Sequence, residues 1–319
     1  MGIRVGLVGA GGVGVRHAHT LAGFDDVELV GVCDPDRTAA ERLADPLDIA
    51  VVEDLARLLD RRPDAVWLCV PPFAHGAPEL ALIRAGLPFF VEKPLAADLT
   101  VAREVADAVV AAGLPTATGY HWRHLETVEQ ARAALAGRTV RLVDARWWGA
   151  APPPLWWSRQ DRSGGQLVEQ ATHVLDLLRV LAGEVTEVIG GAAPSTVDGR
   201  DVPDATAAVL RLDSGAVGTA STSCVLPALT AAGLEVVADG VAVHLTEKAL
   251  RVRTSDGVDV KEAAVDARNA VDRAFIDVLC GSAASPALVD VTEALASHRL
   301  ACAVAEATRT GMRVQVGAR

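Results

Sequence analysis

Apolar residues recur in short runs through residues 3–119, and each run is followed by a turn and a helical pattern. Ile3-Arg4-Val5-Gly6-Leu7-Val8 reads as a first buried strand, Val27 to Cys33 as a second and Ala65 to Val70 as a third. Pro88-Phe89-Phe90-Val91 reads as a fourth strand and Pro115 to Gly119 as a fifth. Helical periodicity fills the gaps after the first glycines, from about Ala74 to Arg84, and from about Leu99 to Ala112. Strands that are apolar on both faces and separated by helices predict a parallel sheet covered on each side, a Rossmann-type doubly wound α/β domain.

From about His121 the texture changes. Val140 to Trp148, Val185 to Ala192, Ala205 to Leu212 and Ala216 to Cys224 follow one another, with short turns such as Asp213-Ser214-Gly215 and Asp239-Gly240. Runs of this kind predict a second α/β domain built on a large, open, mostly antiparallel sheet, closed by an Ala-rich amphipathic helix from Val291 to Thr310. The division falls at residues 1–122 and 123–319. A sheet with helices on one face leaves the other to solvent or to a second subunit, so Val209, Val217, Val236 and Val243 predict a homodimer or homotetramer formed through this sheet.

At 319 residues the chain has room for two domains, each with its own core. No apolar run is long enough to span a bilayer. Met1-Gly2-Ile3-Arg4 leads directly into a strand with no space for a signal peptide, which predicts a cytoplasmic protein. The five cysteines, Cys33, Cys69, Cys224, Cys280 and Cys302, have neither metal-site nor disulfide spacing and are expected to be reduced core residues. A net charge of −11 with no Lys/Arg-rich segment argues against a nucleic-acid partner.

The first strand runs into Gly9-Ala10-Gly11-Gly12-Val13-Gly14, a GxGxxG turn opening a helix, which is the dinucleotide fingerprint. Gly9 suits a tight turn, Gly11 a close approach of backbone to pyrophosphate, and Gly14 close packing of helix on strand. Gly12 and Val13 belong to the same turn. The second strand delivers Asp34, where a carboxylate can hydrogen-bond the 2′-hydroxyl of NAD and repel the 2′-phosphate of NADP. Arg37, three residues on, can hold that phosphate, so NADP stays open as an alternative.

Two further segments carry chemistry. Glu92-Lys93-Pro94 closes the fourth strand at the end where a nucleotide binds, which predicts functional roles for Glu92 and Lys93. Ser163 to Leu181 reads as one helix, started by Ser163 or by Gly164-Gly165 and ended by Gly183. On it Glu169, His173 and Asp176 fall at i, i+4 and i+7, one face, opposite an apolar stripe of Leu167, Ala171, Val174, Leu178 and Leu181. Such a row can hold a histidine in one tautomer and relay a proton, or it can be a plain solvated face. Five of the six tryptophans, Trp122, Trp147, Trp148, Trp156 and Trp157, crowd into one stretch; an indole there can pack on the C–H face of a sugar or can be core.

The glycine turn, Glu92-Lys93-Pro94 and the Gly-Gly helix bearing His173, in this order and spacing, resemble the glucose-fructose oxidoreductase, inositol dehydrogenase and MocA (Gfo/Idh/MocA) family over essentially the whole chain. The resemblance implies NAD(P)-dependent oxidation or reduction of a secondary alcohol or carbonyl on sugars and cyclitols. It implies that Lys93 contacts cofactor and substrate hydroxyl, that His173 is catalytic, and that the Lys93-Pro94 bond is cis. It places Pro71 and His75 in the loop beneath the nicotinamide ribose, and His121 and Arg123 in the segment that crosses into the second domain near the nicotinamide. Gln170 and Asp176 are then candidates for substrate hydroxyls, and Trp156 for the platform.

Two departures stand out. Glu169 occupies the place of the family's aspartate, which keeps the charge but moves the oxygens, and Trp156-Trp157-Ser158-Arg159 replaces the usual Trp-Arg pair. The reading is a cytoplasmic NAD-preferring dehydrogenase of a small-molecule polyol, with no nucleic-acid, membrane or metal partner. Lys93, His173 and Glu169 are its catalytic residues, and Lys93 and His173 act on one alcohol oxygen. Two alternatives are NAD-dependent elimination or glycoside cleavage through transient oxidation, and a nucleotide-sensing regulator without turnover.

Overall fold

The computed structural model describes residues 2–317. Strand β1 (Ile3–Val8) enters the glycine turn and helix α1 (Gly12–Ala22), followed by β2 (Val27–Cys33), α2 (Arg37–Ala44), the short α3 (Leu55–Leu59) and β3 (Ala65–Leu68). Helix α4 (Ala77–Ala85), β4 (Phe89–Val91), α5 (Leu99–Ala112) and β5 (Thr116–Thr118) continue the alternation. Helix α4 starts later than the sequence pattern predicts, because Pro72–Ala74 forms a separate 3-10 turn and the helix begins only after Gly76, at φ +103°.

The five strands form one parallel sheet in the order β2-β1-β3-β4-β5, as expected for a doubly wound domain. The strand order reverses between β1 and β3. In such sheets a ligand binds outside the carboxyl ends of the strands at that point.

Helix α6 (Glu126–Leu135) leads into β6 (Val140–Trp148), then the short helices α7 (Gln160–Ser163) and α8 (Gly165–Glu169), and α9 (Thr172–Ala182). Strands β7 (Val185–Ala193), β8 (Ala205–Leu212), β9 (Val217–Ser223), β10 (Ala231–Ala238), β11 (Val241–Leu245), β12 (Ala249–Thr254) and β13 (Gly257–Glu262) follow. Helices α10 (Ala267–Leu279) and α11 (Val291–Thr310) and strand β14 (Val314–Gln315) complete the described chain. The second sheet has nine strands in the order β13-β12-β11-β10-β6-β9-β8-β7-β14. All its pairings are antiparallel except β6 with β9.

Two compact units result. The first comprises residues 1–96, 100–121 and 268–295, and the second 97–99, 122–267 and 296–319. The crossing near residue 122 coincides with the change in texture, whereas the return through Arg268–Leu295 has no counterpart in a single cut of the sequence. That return has a physical cause: α10 contributes Val271, Phe275 and Ile276 to the same core as Val5, Leu7, Trp67 and Phe90.

In the second unit α6, α9 and part of α11 cover one face of the sheet and share its core with Val143, Ala145, Leu210, Val236 and Val243. The alternating burial of β8 and β9 leaves the other face uncovered. Val209 and Val217 are exposed there, together with Leu142 and Ile189. Val236 and Val243 correct the expectation: both are fully buried on the helix side. The cysteines also differ from expectation, since Cys33, Cys69 and Cys224 are buried but Cys280 is exposed and Cys302 half-buried.

Candidate active site

The glycine turn is built as its sequence demands. Gly9 has φ +99°, and a Cβ there would lie 2.3 Å from the Cys69 carbonyl oxygen. A Cβ on Gly14 would lie 2.1 Å from the Gly9 oxygen, so α1 can pack this close only without one. At Gly11 and Gly12 a Cβ would meet nothing within 4 Å. Their openness answers no contact inside the protein, and it leaves the start of α1, with exposed Val13, clear for an anion to approach its amides.

Asp34 follows the last residue of β2, beside this turn. Its Oδ2 accepts the Ala10 N–H at 2.7 Å and its Oδ1 accepts the Asp36 N–H at 2.8 Å, so the carboxylate is oriented by backbone and helps shape the turn. Arg37 lies on the exposed start of α2 and pairs with Glu41 at 2.8 Å. The turn, the open approach and the fixed acid fit a dinucleotide.

At the end of β3, Pro71 precedes the 3-10 turn and His75 follows it, fully enclosed. His75 Nδ1 lies 2.6 Å from Glu79 Oε1, while Glu79 Oε2 accepts the Gly76 N–H at 2.6 Å. Glu79 thereby starts α4 and sets the imidazole with its Nδ1 proton toward the carboxylate.

At the end of β4, Glu92 is buried and Lys93 half-buried, and the Lys93-Pro94 bond is cis. Glu92 Oε2 accepts the Lys93 backbone N–H at 3.0 Å, and Oε1 lies 2.9 Å from His17 Nε2 and 3.4 Å from the Arg16 guanidinium. On its other side the His17 ring meets Asp272 of α10, with Nδ1 2.7 Å from Oδ1 and 2.8 Å from Oδ2. Asp272 also accepts the Trp67 indole N–H at 2.9 Å.

Burial alone would hold the His17 imidazole uncharged, but Asp272 and then Glu92 outweigh it and carry the pKa up to about 9. Burial would likewise raise the Glu92 carboxyl, yet its bond to His17, helped by the charges of His17, Lys93 and Arg16, brings it down to about 2. The nearby Cys69 thiol is pushed well above its ordinary range, first by burial and then by the two carboxylates.

The second unit holds the remaining candidates, and here the single helix expected from Ser163 to Leu181 is broken. Helix α8 ends at Glu169, Gln170 and Ala171 interrupt, and α9 starts at Thr172. Glu169, His173 and Asp176 therefore do not form one continuous row, and nearly all of α9 is buried, so a solvated face is excluded too.

Each of the three has its own setting. Glu169 Oε2 accepts the Trp157 indole N–H at 2.9 Å. The His173 ring stacks on Trp122 at 5.8 Å and 11° and on Trp147 at 6.1 Å and 26°. Asp176 receives both arms of Arg123, at 2.8 and 2.6 Å, and the Ser297 hydroxyl at 2.5 Å.

Gln170 accepts an N–H from Gln166 at 3.0 Å. His121 is buried in the 3-10 turn His121–His124. Trp156 is half-buried against a small cluster of Trp157, Val202 and Cys224. The structure thus joins Arg123 to Asp176 and Glu169 to the tryptophan cluster, which spacing along one helix does not anticipate. Sequence reading also missed His17, Glu79 and Asp272. His17 could have been noticed as the histidine one turn beyond the glycines on α1; Asp272 carries no local signal.

The same division into two halves appears when the chain is compared with known proteins. Residues 3–120 match the model of an oxidoreductase family with an NAD-binding Rossmann fold, and residues 130–246 match the Gfo/Idh/MocA C-terminal domain. The chain is 32% identical over 228 residues to a myo-inositol dehydrogenase, Hyg17, of Streptomyces leeuwenhoekii, covering 68% of each chain. A putative myo-inositol dehydrogenase from Sinorhizobium meliloti 1021 superposes with a TM-score of 0.81 at 25% identity, over 99% of this chain and 100% of that one. The WlbA dehydrogenase of Bordetella pertussis, solved with NADH and UDP-GlcNAcA, shares the fold with a TM-score of 0.88 at 23% identity over the whole of both chains. With its dinucleotide turn, its Glu92-Lys93-Pro94 strand end and its nine-stranded second sheet, the chain belongs to the Gfo/Idh/MocA family of NAD-binding oxidoreductases.

Proposed function

We propose that the protein is an NAD-dependent dehydrogenase that oxidises a secondary alcohol of a sugar, cyclitol or related polyol. The observation that carries the proposal is the pairing of a dinucleotide turn, oriented by Asp34, with a lysine at the end of a strand of the same sheet. Likeness to inositol and glucoside dehydrogenases supports the choice of substrate class. When bound, NAD supplies the nicotinamide that accepts the hydride.

The chain's own residues bind, orient and handle the proton. The α1 amides and Asp34 hold the dinucleotide, with the carboxylate favouring the free ribose hydroxyl of NAD over NADP. Pro71, His75 and His121 complete its surroundings. Lys93 meets the substrate hydroxyl, and His173, held flat by Trp122 and Trp147, takes or relays the proton that leaves as the alcohol is oxidised. Glu169 and Gln170 shortly precede His173 in sequence and offer polar groups to substrate hydroxyls, with Trp156 as an apolar neighbour. Arg123 and Asp176 act through the α9 helix they secure. The uncovered sheet face, with Leu142, Ile189, Val209 and Val217, is where a second copy docks to form the oligomer.

A panel of sugars, cyclitols and their acids, incubated with NAD and followed by nicotinamide absorbance, tests the proposal. Reduction with at least one polyol is expected, and a panel without any reduction contradicts it. Product formed without accumulation of reduced cofactor would assign the elimination chemistry instead.

A further inference from the structure

Beneath the Lys93 strand end lies a buried charged chain that the proton-transfer chemistry does not use: Asp272, His17 and Glu92, all within the first unit. Both ring nitrogens of His17 face carboxylates, and ionised carboxylates only accept hydrogen bonds. Each nitrogen must then carry a proton, so the ring is an imidazolium clamped between two anions. Charged groups buried this fully are retained only where partners satisfy them on every side, as the Trp67 indole and the Lys93 backbone amide do here. Space confirms the fit: a Cβ on Gly119 would lie 2.5 Å from Glu92 Oε1, leaving the carboxylate little room to move in that direction.

We propose that Asp272 and His17 are positioning residues for Lys93, acting through Glu92, and that the protein is fully active only while the His17 ring carries both protons. The proposal rests on the reading of Lys93 as the residue that meets the substrate hydroxyl. Asp272 holds His17 by two contacts, His17 holds Glu92 Oε1, and Glu92 Oε2 holds the amide of Lys93 itself. When the ring loses a proton, one of its nitrogens turns a lone pair toward a carboxylate and the contact becomes repulsive. Of the two anions it is Glu92 that holds the Lys93 amide, so the loss is felt at Lys93. The other ionisable groups against this chain are Arg16 and Lys93, which favour the charged Glu92, and Cys69, whose thiol stays protonated beside the two acids.

The test compares wild type with Asp272→Asn and Lys93→Ala. Asp272→Asn keeps the shape and touches neither cofactor nor Lys93, but removes the charge that favours the imidazolium. Its kcat is expected to fall by about ten-fold or more, within the range of on the order of 10²-fold that a 1 Å misplacement causes, with KM for NAD changed less than about two-fold. The alkaline limb of its kcat profile is expected to move to lower pH than in wild type. A kcat and an alkaline limb equal to those of wild type, where Lys93→Ala cuts turnover by on the order of 10²-fold or more, overturn the positioning proposal while leaving the lysine reading intact. Turnover within a few-fold of wild type in Lys93→Ala overturns both.

A measurement on the unsubstituted protein covers the case in which Asp272→Asn fails to fold. In protein with 15N-labelled histidine and backbone, His17 is expected to show two protonated nitrogens at neutral pH, and the Lys93 amide resonance to move as that ring titrates. A singly protonated ring at neutral pH, or a Lys93 amide indifferent to its titration, overturns the proposal.

Discussion

Arg123 grips Asp176 through two parallel hydrogen bonds, Nε to Oδ2 at 2.8 Å and Nη2 to Oδ1 at 2.6 Å, with both side chains buried. A fork-to-carboxylate pair of this geometry is among the stronger polar contacts a protein makes. It ties the 3-10 turn His121–His124 to α9, the helix that carries His173 one turn before Asp176. The Ser297 hydroxyl, which bonds Asp176, also accepts from Arg179, extending the anchor to α11.

Asp176→Asn should therefore act first on stability. Breaking one side of a buried ion pair costs on the order of 3–5 kcal/mol, and a lower urea midpoint with an unchanged slope is expected. A variant as stable as wild type but without turnover would instead make Asp176 a direct substrate contact.

Trp157→Phe keeps the buried ring but deletes the N–H that Glu169 accepts at 2.9 Å. A hydrogen bond to a charged group contributes about 1.5–3 kcal/mol, so a loss of that size is expected in chemical denaturation. Turnover should fall as well, since Glu169 loses the contact that orients it next to Gln170 and the start of α9. Unchanged stability and rate would show that the indole bond holds nothing in place.

Asp34→Ser is expected to weaken NAD binding and to narrow the gap between NAD and NADP in calorimetry. The weakening has two sources, loss of the ribose partner and loss of the acceptor that orients Ala10 and Asp36. A wild-type protein that binds NADP more tightly than NAD would transfer the discrimination to Arg37, whose exposed guanidinium pairs with Glu41 on its own helix.

The His17 and Glu92 pair makes stability depend on pH in two directions. His17 rises from 6.5 to about 9 on folding, so its contribution is complete below about 6.5 and is lost as pH climbs through about 9. Glu92 falls from 4.5 to about 2, so its contribution is complete above about 4.5 and is lost as pH drops toward 2. Each shift corresponds to on the order of 3 kcal/mol. Thermal unfolding should give a maximum between these limits, and an alkaline decline absent from His17→Gln relative to its own optimum. A melting temperature flat from pH 6 to 10 would contradict the assignment of the imidazolium.

Local pattern made the five strands of the first unit legible, and β2, α5 and α11 fall where their apolar runs begin and end, because turn glycines, caps and periodicity are written within a few residues of each boundary. The glycine turn and the Glu92-Lys93-Pro94 strand end were placed for the same reason. The short α2 and α3 and the returning α10 carried no such signal. What escaped has a common physical origin in long separation. Asp272 reaches His17 across 255 positions, and nothing in the neighbourhood of either announces the other. The helix bearing His173 misled in a different way: its periodicity persists through Gln170 and Ala171, but the chain breaks there and Glu169 turns to Trp157. Burial on every side of α9 likewise follows from tertiary cover that a single amphipathic stripe does not specify.

Lys93 and His173 are proposed to act on one alcohol during NAD-dependent oxidation. The most direct measurement is single-turnover reduction of NAD by a polyol substrate in wild type, Lys93→Ala, His173→Ala and the double variant, each with NAD affinity measured separately. Each single change is expected to cut the rate by on the order of 10²-fold or more, the double change to cost far less than the product of the two, and NAD still to bind. Rates within a few-fold of wild type for either single variant, or losses that multiply in full, would contradict this shared action.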